Sequence, residues 1–285
     1  MNERNPSDRG QFAGLVPRRL STAGVTLAEV VHARGRSLPG HGHADPYFCL
    51  LLSGRYEDIV SGRERMFAPA DAMFSPPGLE HRDRIGTGGA KFFTISFDPA
   101  AGPAYVERPA LWNTPQRWSA SGPSLDLARL YVTFVQSGAM LEAIDVEARV
   151  LALWSAITGP GSVERGPAAW LSAARARLHD EIAPAPRIAD LAVDAGVHPV
   201  YFSRAFTSRF GMGPAEYRAR LRVGAACRAL GQQLPIRRIA IALGFADQAH
   251  FTRDFRARIG VTPAAYRRIV SVRSPRLVLF NPQPD

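Results

Sequence analysis

The 285 residues are enough for about two domains, and a hydrophobic content of 46% is ample for ordinary cores. The formal charge of +10 lies wholly in residues 166–285, which hold 18 Arg and 8 acids, while residues 1–165 balance 17 basic against 17 acidic side chains; that asymmetry is the footprint of one domain meeting a polyanion, most often nucleic acid. The polar, mixed-charge start MNERNPSDRGQ excludes a signal peptide, and no apolar run approaches the ~18 residues of a membrane span, so the chain is expected to be cytoplasmic with no membrane partner.

Residues 1–22 read as a flexible arm. From Val25 to Phe97 short apolar runs alternate with Gly/Pro punctuation: VTLAEVVHA, YFCLLLSG, RYEDIVSG, DAMFSPPG and KFFTISFD. Such runs predict a small all-β sandwich or barrel. Cys49 and Cys227 fit no ligand spacing and read as small buried hydrophobes in a reducing compartment. In GRSLPGHGHADPYFCLLLSG, His41 and His43 stand two apart, and on a strand they project to one side. His81, at a second strand end, can converge with them, and three imidazoles can hold a divalent cation with a position left open.

Gly35, His41-x-His43, Tyr47 and Gly54 resemble the first motif of the cupins, and Pro76-x-Gly78-x-x-His81 the second. Tyr47 stands where metal-binding cupins carry Glu, Ala70 replaces the second motif's leading Gly, and Ile85 its closing Asn. The resemblance implies an effector-sensing domain over 23–158, with His41, His43, Tyr47, Tyr56, Glu57 and His81 lining its pocket and a divalent metal on His41, His43 and His81. With the carboxylate ligand missing and no acid/base pair nearby, an enzyme is not expected.

Past Leu125 the texture changes. Leu127, Leu130 and Phe134, then Val146, Val150, Leu153 and Trp154, recur at helical spacing and predict two helices split near Ser137–Gly138. They serve either as a dimer interface or as packing on the barrel. GPGSVERGP, residues 159–167, reads as a linker.

The C-terminal part, 168–270, repeats itself. Ser203–Arg218 shifted by 49 falls on Thr252–Arg267 with eight of sixteen positions identical, and Leu191-Ala192 and Gly196-Val197 match Ile239-Ala240 and Gly244-Phe245 at an offset of 48. Each copy reads helix, tight turn, helix, with Gly196 or Gly244 ending the first helix in a left-handed turn. Phe202 and Phe206, like Phe251 and Phe255, stand four apart on one core face. Asp247 is a good N-cap and His198 a poorer one, helped by Pro199. Opposite the second aromatic face lie Ala249, Arg253 and Arg256, with His250 at the side and Gln248 in the exposed first turn. Arg suits guanine, Gln adenine, and Ala a thymine methyl in the major groove. The helix from Pro214 to about Gly231 joins the copies; at about 25 Å, with its end loops, it can span the ~34 Å between successive major grooves. Residues 271–285 are an uninformative tail.

The stretch IAIALGFADQAHFTRDFRARIGVTPAAYR resembles the signature of the AraC/XylS family of transcription regulators, over roughly 170–269. By that resemblance Val200, Ser203 and Arg204 of the first recognition helix face bases, as do Gln248, Ala249, His250 and Arg253 of the second. Arg218, Arg220 and Arg222 are placed to meet phosphates. The implied protein is multidomain α+β: a cupin-like β-barrel with a helical extension, then an all-α domain of two helix-turn-helix units on a linker helix. Its expected role is a DNA-binding transcription regulator, in the family's commoner mode an activator, with double-stranded DNA, a small-molecule effector, RNA polymerase and a homodimer mate as partners. The competing reading is a metal-dependent cupin enzyme with an accessory DNA-binding domain.

Overall fold

Alternation in YFCLLL places Tyr47, Cys49 and Leu51 on one face of a strand and Phe48, Leu50 and Leu52 on the other. All six are buried, so this strand is covered on both sides. In the computed structural model, which describes residues 12, 14–22, 24–98, 114–120, 122–137, 143–158 and 169–272, that strand belongs to an eight-stranded antiparallel sheet. Its strands are β1 (Leu15–Ser21), β2 (Val25–His32), β3 (Ser37–His41), β4 (Tyr47–Val60), β5 (Arg63–Phe67), β6 (Asp71–Ser75), β7 (His81–Phe97) and β8 (Gln116–Ser119). Their order is β1-β2-β7-β4-β6-β8, with β3 on β7 and β5 on β4. An inner apolar cluster holds Val30, Tyr47, Cys49, Leu51, Tyr56, Met73 and Phe92, while Leu27, Phe48, Leu50, Phe93 and Ile95 face the opposite way, under the helices.

Two sequence expectations change here. Leu15–Ser21, assigned to the arm, is β1 and pairs with β2 from Leu15↔Val31 to Ser21↔Thr26. YFCLLLSG and RYEDIVSG, read as separate runs, form the single 14-residue β4. Gly54 marks a bend rather than an end: its φ is +92° and the β4–β7 register shifts on both sides of it. A bulge bends and twists the strand there, and pairing with β7 resumes beyond it.

Helices follow: α1 (Pro123–Ser137), α2 (Ala143–Thr158), α3 (Ala169–Asp180), α4 (Ile188–Asp194), α5 (Pro199–Phe210), α6 (Pro214–Gly231), α7 (Ile236–Ala242), α8 (Gln248–Ile259) and α9 (Pro263–Val270). The expected split at Ser137 is where α1 ends. α1 settles into the sheet's outer face with Leu125, Leu127, Leu130, Tyr131 and Phe134 buried, touching β4, β6 and β8 on one side and α6, α8 and α9 on the other. The packing alternative therefore holds for α1. Val146, Val150 and Leu153 of α2 enter the same core. The 159–167 linker and the tail beyond residue 272 lie outside the described residues. Among the described residues no helix is long and apolar enough to cross a membrane.

A Cβ at Gly54 would stand 2.0 Å from the Gly89 carbonyl oxygen and 2.8 Å from Ala90 Cα. Gly54→Ala thus meets both a backbone clash and an unfavourable φ, and should lower the stability of the whole chain by more than about 2 kcal/mol in urea unfolding. A wild-type midpoint would show that β4 can make its bend against β7 without this glycine.

Candidate DNA interface and effector pocket

Each helix-turn-helix unit is built as its repeat predicts. Gly196 and Gly244 adopt φ +65° and +71°, and Gly211 and Gly260 close α5 and α8 in the left-handed region at +72° and +94°. Asp247 caps α8 by accepting from the His250 backbone N–H at 2.6 Å, a bond that holds its carboxyl below the usual carboxylate range. His198 caps α5 less closely, Nδ1 accepting from the Val200 N–H at 3.3 Å. Phe202, Phe206, Phe251 and Phe255 are wholly buried, which places them in the core. On the far side of α8, Gln248, Ala249, His250, Arg253 and Arg256 are all exposed. On α5, Val200 and Arg204 are exposed and Ser203 is half-buried. Tyr201, passed over in the sequence, is 59% exposed beside them; its offset from the Phe202–Phe206 face was the available signal.

The linker arginines differ from expectation. Arg218 donates to the Pro186 carbonyl at 3.2 Å. Arg220 pairs with Glu216 at 3.4 Å and faces Asp126 of α1 at 4.0 Å. Arg222 lies over the Phe245 ring at 4.9 Å, where burial lowers its pKa. These three are half-buried and held by internal partners rather than open to phosphate. The exposed basic pair nearby is Arg237–Arg238 of α7.

In the sheet domain the three histidines converge as predicted. One nitrogen from each of His41, His43 and His81 lies within 4.8 Å of the others. The Nε2 atoms of His41 and His81 are 3.1 Å apart. His41 Nδ1 sits 2.9 Å from the Pro39 carbonyl; donating there leaves its Nε2 lone pair facing the pocket, so without a cation His81 Nε2–H is the donor between the two rings. A small cavity of about 30 Å³ opens among these rings, Tyr47, Tyr56, Met73 and Phe92. Phe12 closes it from the arm, its ring 5.0 Å from His43 and edge-on to Tyr47 at 5.2 Å.

Glu57 is not in this pocket. Next to inward-facing Tyr56 it must point the other way, and it pairs with exposed Arg84 at 3.1 Å. The carboxylate that does reach the site is Asp83: buried, accepting from Tyr56 Oη at 2.8 Å, and 3.6 and 3.7 Å from the Nε2 atoms of His41 and His81. Burial pushes the Asp83 carboxyl up. His81-x-Asp83 on one strand has the same-side spacing used for His41 and His43, so it was legible and missed. His32 also lines the cavity, with a buried Nδ1 that has no hydrogen-bond partner among the described residues.

Residues 191–269 match the family model for a helix-turn-helix domain. No curated protein matches the chain. Among solved structures it is similar to fatty-acid-bound ToxT from Vibrio cholerae strain SCE256, at 10% identity over 87% of this chain and 96% of that one, TM-score 0.37. It is also similar to the C-terminal domain of AraT, a response regulator from Geobacillus stearothermophilus, at 27% identity over 37% and 88%, TM-score 0.35. A third is a transcriptional regulator with an AraC-type DNA-binding domain from Chromobacterium violaceum, at 26% identity over 37% and 96%, TM-score 0.35. The family match extends from within α4 to α9 and spans both copies of the internal repeat, and residues 191–269 form a helix-turn-helix domain.

Proposed function

We propose that the protein is a sequence-specific transcription regulator acting as an activator, in which a small molecule bound in the sheet domain alters how α5 and α8 sit in successive major grooves. The carrying observation is the pair of exposed recognition helices, each backed by two fully buried phenylalanines and joined by the 18-residue α6, about 27 Å long. Double-stranded DNA is the partner these helices fit, and RNA polymerase the partner an activator needs. Exposed Arg237, Arg238 and Arg256 take the phosphate role first assigned to the α6 arginines.

Selecting duplexes from a random pool with the full-length protein, then footprinting at two salt concentrations, tests this reading. Protection should cover about two helical turns and fade steeply with salt as counterions are released. Arg253→Ala should lose about 1–3 kcal/mol of affinity and relax one base position. A variant that keeps the wild-type ranking of sequence variants would remove Arg253 from base readout.

The effector site is the cavity around His41, His43, Tyr47, Tyr56 and His81. Its imidazoles fit a divalent cation, since three nitrogens converge within 4.8 Å and Asp83 brings a carboxylate to the two of them on His41 and His81. His41, His43 and His81 would hold the ion, and it would supply a Lewis-acidic anchor for an oxygen- or nitrogen-bearing effector. Elemental analysis after zinc loading and dialysis should give one equivalent in the wild type and none in His43→Ala. A metal-free wild type would leave the imidazoles to hydrogen-bond the effector directly.

Burial, reinforced by Arg36 and His41, lowers the His32 pKa from 6.5 to about 4. Between these values the unfolded chain binds a proton that the folded one refuses, so stability falls as pH drops from 6.5 toward 4 and levels off below. For His32 the loss is about 3 kcal/mol at most. Urea midpoints should show a shallower acid slope for His32→Gln; an unchanged slope would assign the effect elsewhere.

A further inference from the structure

The two helix-turn-helix units are copies in sequence but not in surroundings. The first has its own core: Leu178, Leu191, Phe202, Phe206 and Leu221 form a cluster drawn entirely from residues 170–221. Phe251, Phe255, Tyr266 and Val270 of the second unit share one cluster with Phe48 and Phe93 of the sheet and Tyr131 of α1.

Polar contacts close the same seam. Lys91, 7% exposed, places Nζ 2.9 Å from Glu29 Oε1 and donates to the Ile269 carbonyl at 2.8 Å. The Tyr131 hydroxyl is 2.7 Å from Glu29 Oε2 and 3.0 Å from the Ile269 oxygen, its single proton serving one at a time. Ser53 donates to the Val270 carbonyl at 2.5 Å. Ile269 and Val270 end α9, so the ammonium and the Ser53 hydroxyl meet carbonyls that lack intrahelical donors, and the ammonium sits at the negative end of the helix dipole. A buried ion pair contributes little net stability because desolvation offsets attraction, yet separating its partners leaves an uncompensated charge. Its effect is to fix position.

The docked part of α6 is shaped for close approach. Gly224 and Gly231 stand seven apart on one face; a Cβ would fall 1.5 Å from the Ala120 oxygen at the first, and 2.5 Å from Pro69 Cβ and 2.6 Å from the Leu52 oxygen at the second. Between them Arg228 reaches buried Asp71 at 2.5 Å.

We propose that the outer face of the sheet is a docking surface whose partner is the second helix-turn-helix unit, so that sheet, α1 and second unit form one body to which the first unit is joined through α6. Gln248, His250 and Arg253 remain exposed, so docking positions α8 and does not mask it. The docking strands are also the pocket strands: Tyr47 and Phe92 point inward while their neighbours Phe48 and Phe93 point outward. A change in the pocket reaches α8 across one layer of backbone and reaches α5 along α6. The signal therefore acts on the half-site that α8 reads. That last step rests on the regulator reading; the docking does not.

Hydrogen exchange on the full-length protein, resolved by peptide, tests the docking. In the wild type α7–α9 should share the protection of β2, β4 and β7, and α4–α5 should exchange about tenfold faster. Arg228→Ala, which leaves Asp71 paired with Arg117 at 3.0 Å, and the wedge Gly231→Ala should each speed exchange in α7–α9 about tenfold and leave α4–α5 unchanged. Equal acceleration in both units, or equal protection of both in the wild type, overturns the docking. If Gly231→Ala does not fold, Arg228→Ala carries the test. On duplexes selected by the wild type, Arg228→Ala should weaken protection over one half-site and keep it over the other. Uniform weakening overturns the directed signal. Failure of the wild type to bind any duplex overturns the regulator reading and leaves the exchange result standing.

Discussion

Burial on both faces of β2, the first half of β4 and the second half of β7 is the constraint from which the rest of the molecule follows. A strand with one wet face needs one apolar partner, whereas these strands need two. On the inner side the demand is met by side chains closing on themselves, with room left for a cavity among His41, His81 and Tyr56. On the outer side it is met by α1 and the second helix-turn-helix unit. Pocket and docking seam are thus two answers to one requirement, separated by the thickness of a single sheet.

Three of the charged groups inside this arrangement tie its elements together. Glu29, Lys91 and Asp71 are buried, and each has a partner from a distant element. Lys91 and Glu29 lie on paired strands, two residues out of register, Val31 being opposite Lys91. Asp71 accepts from Arg117 of β8 and Arg228 of α6. Such groups add little net stability and much definition, since an apolar seam alone would tolerate sliding.

What could be read from the sequence was what depends on neighbours along the chain. The turn glycines Gly196 and Gly244, the Asp247 cap, the four buried phenylalanines and the exposed row from Gln248 to Arg256 are local in origin, and the repeat displayed each twice. His41, His43 and His81 were legible because a strand repeats every two residues. Less legible was anything decided by a partner far away. Gly54 looked like a terminator because the β7 backbone that keeps β4 going lies some thirty-five residues on, at Gly89 and Ala90. Glu57 was placed in the pocket although its neighbour Tyr56 already took the inward position. Arg218, Arg220 and Arg222 carried the right charge for phosphate, but Pro186, Glu216 and the Phe245 ring meet them first. Nothing in the sequence around Lys91 signals that Glu29 and the end of α9 meet it.

The shared core also bears on how such a protein can be taken apart or recombined. A cut before α3 would free a helical half whose first unit is complete. Its second unit would lose the sheet and α1 from around Phe251, Phe255, Tyr266 and Val270, leaving that apolar side open to water. The two copies left by the duplication are therefore no longer interchangeable modules: one is a portable domain, and the other has become part of its neighbour's interior.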